Sequence, residues 1–100
     1  MKVNVQSVNF SADQKLISHI QKRLDKLEQF HDRIVDSEVF LKVDNNHTKQ
    51  NKVTEIKLSI PGQDLVVKKQ CKSFEEATDL STEALRRQLK KHKSKAKLTA

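Results

Sequence analysis

The sequence predicts an α+β fold of order β-α-β-β-β-α, with two helices packed on one face of a four-stranded sheet. Three observations carry that expectation. Two segments repeat apolar residues at the 3.6-residue helical period and open on capping sequences. Four shorter segments alternate apolar and polar residues at period 2. The only proline and the only glycine stand together, as Pro61-Gly62, between two of those.

Residues 3–10 alternate loosely and read as the first strand. Ser11-Ala12-Asp13-Gln14 follows as a capping box, Ser11 accepting from the N3 amide and Gln14 reaching back. The helix it starts runs to about Phe30, with Leu16, Ile20, Leu24 and Leu27 on one apolar stripe and Ile17 beside it. Its polar surface is segregated: Lys15, His19, Lys22 and Lys26 fall within roughly 60° of one another, while Gln14, Asp25, Glu28 and Asp32 gather elsewhere. A solvated helix ordinarily interleaves its signs for i,i+4 support. Segregation points to a partner.

Three strands are expected next. In 37–44, Val39, Leu41 and Val43 oppose Glu38, Phe40 and Lys42; in 53–60, Ile56, Leu58 and Ile60 oppose Glu55, Lys57 and Ser59. Residues 64–71 turn Leu65 and Val67 inward. Such alternation marks a sheet covered on one face, the antiparallel habit. Residues 45–51 read as a polar loop and Pro61-Gly62 as a turn. A second capping box, Ser73-Phe74-Glu75-Glu76, opens the last helix. Its inward stripe is Phe74, Ala77, Ser81, Ala84, Leu85 and Leu89, and Phe30 is expected to close the first helix against Phe74. Its outward face begins acidic and ends basic, which suits the helix dipole. The chain thus reads as one domain, 1–100, with a flexible basic tail at about 94–100.

The chain of 100 residues has a net charge of +7, and the position of that charge matters more than its size. Residues 1–85 hold 13 basic and 13 acidic side chains. The excess is Arg86, Arg87, Lys90, Lys91, Lys93, Lys95 and Lys97, with no acid among them. Leu, Ile, Val and Phe number 28, enough for a modest core. No apolar run is long enough to span a membrane and no secretory leader is visible. The single cysteine, Cys71, fits a reducing cytosol, so a cytoplasmic location is expected.

Signatures of catalysis are missing. The four histidines lie far apart and none pairs with Cys71 at a metal-ligand spacing, so neither metal nor other cofactor is expected. Gly62 alone makes no phosphate loop, and no nucleophile elbow occurs. An acylphosphatase-like loop fails because residues 6–10 contain no glycine. Cys71 reads as a half-buried strand residue rather than a nucleophile. The sequence predicts a protein that is not an enzyme.

Binding carries the stronger signal. If both helices lie on one sheet face, Lys22, Arg23 and Lys26 stand beside the cationic end of the second helix and make a groove suited to phosphate backbones. A few cations at a helix end merely complement the dipole, but seven in fifteen residues without an acid ask for a polyanion. Single-strand readers stack bases on sheet-surface aromatics. Here Phe40 alone points to the open face, so recognition by shape and backbone is expected, with little base specificity. The α-β-β-β-α order of double-stranded-RNA-binding folds is similar to this chain without its first strand.

Lys26-Leu27-Glu28-Gln29-Phe30, then Asp32-Arg33-Ile34, Leu41-Lys42-Val43, and above all Arg87-Gln88-Leu89-Lys90-Lys91-His92-Lys93 resemble the ribosome hibernation-promoting factors, a family that includes protein Y and is also labelled sigma factor modulation proteins. The likeness runs from the first strand through Lys93. It implies the β-α-β-β-β-α fold and binding to the small ribosomal subunit between head and body, over the mRNA and tRNA sites. It implies ribosomal RNA contacts at Lys22, Arg23, Lys26, Lys42, Arg86, Arg87, Lys90, Lys91, His92 and Lys93. Ala84 falls where relatives often carry lysine, a loss that Arg86 partly offsets. By length the chain resembles the short members, some of which act with a separate ribosome modulation factor. No small-molecule substrate and no membrane partner are expected. Two other readings stand beside it: a general double-stranded-RNA-binding module, and a regulator docking its basic helix on an acidic protein such as a sigma factor.

Overall fold

In the computed structural model the chain runs β1 (Lys2–Val8), α1 (Gln14–Phe30), β2 (Asp36–Val43), β3 (Lys52–Ile60), β4 (Gln63–Cys71) and α2 (Phe74–Thr99). Residues 2–8, 10–31, 33–44 and 50–91 are described in full, and 92–99 by their backbone course alone. The expected loop at 45–51 lies largely outside the described residues, and the expected flexible tail at 94–100 lies outside the fully described ones.

The order matches the expectation, and so does the antiparallel pairing of the three later strands; the direction of the first strand is new. The strands lie in the order β1-β2-β3-β4, with β2-β3 and β3-β4 antiparallel but β1 parallel to β2, Lys2 opposite Asp36 and Val8 opposite Lys42. The sheet is therefore mixed. Alternation reports a covered face, not a direction; the direction follows from α1, which carries the chain back over the sheet before β2 begins.

Local chemistry explains each boundary. The cap of α1 is Asp13 rather than Ser11: its carboxylate accepts from the Leu16 amide at 2.8 Å. Asp13 stands directly before the first helical residue and leaves Ser11 outside. At α2 the expected Ser73 cap is present, its hydroxyl accepting from the Glu76 amide at 3.1 Å, with Glu75 and Glu76 in the first turn where the dipole favours acids. Between β3 and β4, Ile60 faces Gln63 across a two-residue turn. Pro61 supplies the fixed φ of its first corner and Gly62, at φ +91°, the left-handed second corner.

The core lies between the helices and one sheet face. Ile20 and Leu24 of α1, Val39 and Leu41 of β2, Ile56 and Leu58 of β3, and Leu85 and Leu89 of α2 are fully buried. Each such side chain contributes about 1.5–3 kcal/mol by leaving water. The inward stripe of α2 differs from expectation at three positions: Thr78 and Thr82 are buried and Ala84 only partly so. With Leu85 facing the sheet, Thr78 falls about 20° from it and Ala84 about 100°. Small buried residues, Ala77, Thr78 and Ser81, bring α2 close to β3 and β4.

The aromatic residues also pair differently. Phe74 stacks on Phe10, with ring centroids 5.0 Å apart and planes 10° from parallel, which pins the segment after β1 to the start of α2. Phe30 is left for another partner. Cys71 is buried at the end of β4; burial first, and the Glu76 carboxylate second, push its thiol above the ordinary range against a smaller pull from Lys69.

Candidate nucleic-acid interface

Strand directions fix the relation between the helices. β1, β2 and β4 run the same way, and each helix runs back along the strand before it, so α1 and α2 are parallel neighbours. Each offers the other a stripe of the same 4-3-4 spacing: His19, Arg23, Lys26 and Phe30 on α1, and Asp79, Glu83, Arg86 and Lys90 on α2.

The stripes meet in register. Nε2 of His19 lies 2.7 Å from Oδ1 of Asp79, and Nε of Arg23 lies 3.2 Å from the same oxygen. Two turns on, the guanidinium of Arg86 stands 5.6 Å from the centroid of the Phe30 ring, a cation–π distance. Between these contacts opens a cleft of about 460 Å³ lined by Arg23, Lys26, Leu27, Gln29, Phe30, Thr82, Glu83 and Arg86. Glu83 is its acidic wall, 3.9 Å from Arg86 and 4.0 Å from Arg87. A shallower hollow of about 360 Å³ on the outer side of α1 is lined by Gln14, Lys15, Ser18, His19 and Lys22.

The candidate RNA contacts fall into four groups. Lys22, Lys26, Arg86, Arg87, Lys90 and Lys91 are exposed on the two helices, and Lys26 and Arg86 share the cleft. Arg23 is partly buried and turned to Asp79, so its charge is partly spent inside the fold. Lys42 stands apart: alternation along β2 puts it on the sheet face opposite the helices, with Glu38 and Phe40. The side chains of His92 and Lys93 lie outside the described residues.

Sequence reasoning missed Asp79, Glu83 and Phe30 as parts of this surface. His19 and Asp79 are 60 residues apart, and nothing local joins them. The shared 4-3-4 spacing of two polar stripes was the available signal. Among the described residues, no three His, Cys, Asp or Glu side chains gather as a metal site, and no helix is long and apolar enough to cross a membrane.

Comparison with known proteins agrees with this architecture. The chain is similar to a solved ribosomal subunit interface protein from Coxiella burnetii, with a TM-score of 0.83 at 18% identity over 94% of this chain and 99% of that one. It is also similar to the protein Y N-terminal domain of Thermus thermophilus, with a TM-score of 0.79 at 19% identity over 92% and 99%. At such identities the likeness is one of fold. In sequence, it is 31% identical to the ribosome hibernation promotion factor of Bacillus subtilis over 95% of this chain and 50% of that protein. It is 32% identical to the ribosome hibernation promoting factor of Pseudomonas putida over 95% of this chain and 89% of that protein. The chain thus spans half the length of the first relative and most of the second. Residues 3–97 match the family described as sigma 54 modulation protein / S30EA ribosomal protein, and the chain belongs to that family.

Proposed function

We propose that this chain is a ribosome hibernation factor that binds the small subunit at the decoding region, where it occupies the mRNA and tRNA sites and stops translation in stationary phase or stress. One observation carries the reading. Lys22 and Lys26 of α1 and Arg86, Arg87, Lys90 and Lys91 of α2 are all exposed on one helical layer and account for nearly all of the net charge of +7. Parallel helices set side by side turn two rows of cations into one surface, which exchanges condensed counterions for phosphates.

The names of the relatives supply the ribosomal address, and the cytoplasm is where that target is found. The action is exclusion. An 11.5 kDa wedge held by phosphate contacts competes with other ligands for a channel and needs no reacting group. The test is sedimentation of the purified protein with ribosomal particles through a sucrose gradient. Comigration with small subunits and whole ribosomes at low salt, lost at high salt, is the expected result. Failure to comigrate with either sinks the reading; equal binding to any RNA duplex favours a general RNA-binding module instead.

A further inference from the structure

We propose that the cleft between α1 and α2 holds one unstacked nucleobase of the bound RNA, stacked against Phe30 and Arg86 and read at its edge by Glu83. This goes beyond phosphate binding and rests on the RNA-binding reading above.

The argument starts from Phe30. Of the four phenylalanines, Phe10 and Phe74 are consumed by stacking on each other, and Phe40 lies on the opposite sheet face. Phe30 lines the cleft between the helices, with the guanidinium of Arg86 5.6 Å from its ring centroid. An aromatic ring and a guanidinium plane are the two surfaces on which proteins stack unpaired bases. The cleft, at about 460 Å³, lies within the range of ligand sites, roughly 300–1,000 Å³.

Its wall distinguishes a base from a phosphate. Glu83 is a carboxylate, which repels a phosphate but accepts from the N–H groups of a base edge. Gln29 can both donate and accept. The Thr82 hydroxyl, buried in the same wall, donates to the Thr78 or the Asp79 carbonyl, each 3.0 Å away. Lys26 at the rim is placed for the phosphate attached to the inserted nucleotide.

The test uses the full chain and purified small ribosomal subunits, with affinity measured across a salt series. Phe30→Leu keeps an apolar side chain and removes the aromatic face; Arg86→Lys keeps the charge and removes the plane. Each should weaken binding, the first by about 5- to 150-fold, with the slope of log affinity against log salt unchanged because the phosphate contacts remain. Glu83→Gln should also weaken binding. Phe30→Leu or Arg86→Lys binding as tightly as the parent overturns the proposal, as does tighter binding by Glu83→Gln, the behaviour of a pure phosphate groove. Should Phe30→Leu melt below the assay temperature, the other two variants, both at exposed or half-exposed positions, decide. A parent protein that fails to bind subunits at low salt is a different result: it overturns the ribosomal reading, and the pocket with it.

Discussion

His19 and Asp79 join the two helices through a 2.7 Å contact, and Arg23 reaches the same carboxylate oxygen at 3.2 Å. One acid thus holds two basic groups of the neighbouring helix and sets how the cationic rows face outward. The three side chains are a third to a half exposed, so solvent screens the pair and its worth is modest. A double-mutant cycle with Arg23→Ala and Asp79→Ala should give a coupling energy of about 0.2–1 kcal/mol in denaturant unfolding. Zero coupling would mean that the contact does not hold the helices.

Gly62 is expected to resist substitution for a backbone reason alone. A Cβ built there meets nothing within 4 Å, but φ is +91°, where L side chains are strained. Gly62→Ala should therefore destabilise by about 1 kcal/mol or more, which lowers the melting temperature by roughly 4–8 °C per kcal/mol in a domain of this size. Unchanged melting would show that the β3–β4 turn can adopt another geometry.

Cys71 supplies a pH test. Its thiol is raised from an ordinary value of 9.0, so the folded chain holds the proton longer than the unfolded one. The stabilisation is fully present below pH 9.0 and is lost as pH rises through the higher folded value. Relative to Cys71→Ala, the parent should lose stability above that point and not below it. Alkylation of the native thiol at pH 8 should be far slower than in denaturant, and equal rates would contradict the burial.

Much of the fold was legible because its signals are local. The period of Leu16, Ile20, Leu24 and Leu27, the Ser73 cap and the Pro61-Gly62 turn each depend on a few adjacent residues. What stayed hidden was set by distant parts of the chain. The parallel pairing of β1 with β2 follows from the α1 crossover, not from the alternation of either strand. Phe10 finding Phe74, and Phe30 finding Arg86, depends on how α2 sits against the rest. The candidate site divides the same way. Its exposed cations were countable in the sequence, whereas the acids between them acquire meaning only when the helices lie side by side.

The exposed cations carry the last prediction. Arg87 is 78% exposed and its acidic neighbour Glu83 is 4.0 Å away, so its charge adds little to stability. Lys90 is exposed on the same helix one turn on. About five phosphate contacts imply a salt slope near −4 to −5 on the duplex scale. Arg87→Gln with Lys90→Gln removes two of them and should flatten that slope by about 2. The double reversal Arg87→Glu with Lys90→Glu should abolish binding to small subunits, because it replaces two attractions with two repulsions. Its melting temperature should stay within a few degrees of the parent's, as surface substitutions usually shift stability by about 0.5 kcal/mol or less. A reversal that unfolds the chain would assign these residues to structure, and one that binds as before would move the interface off α2.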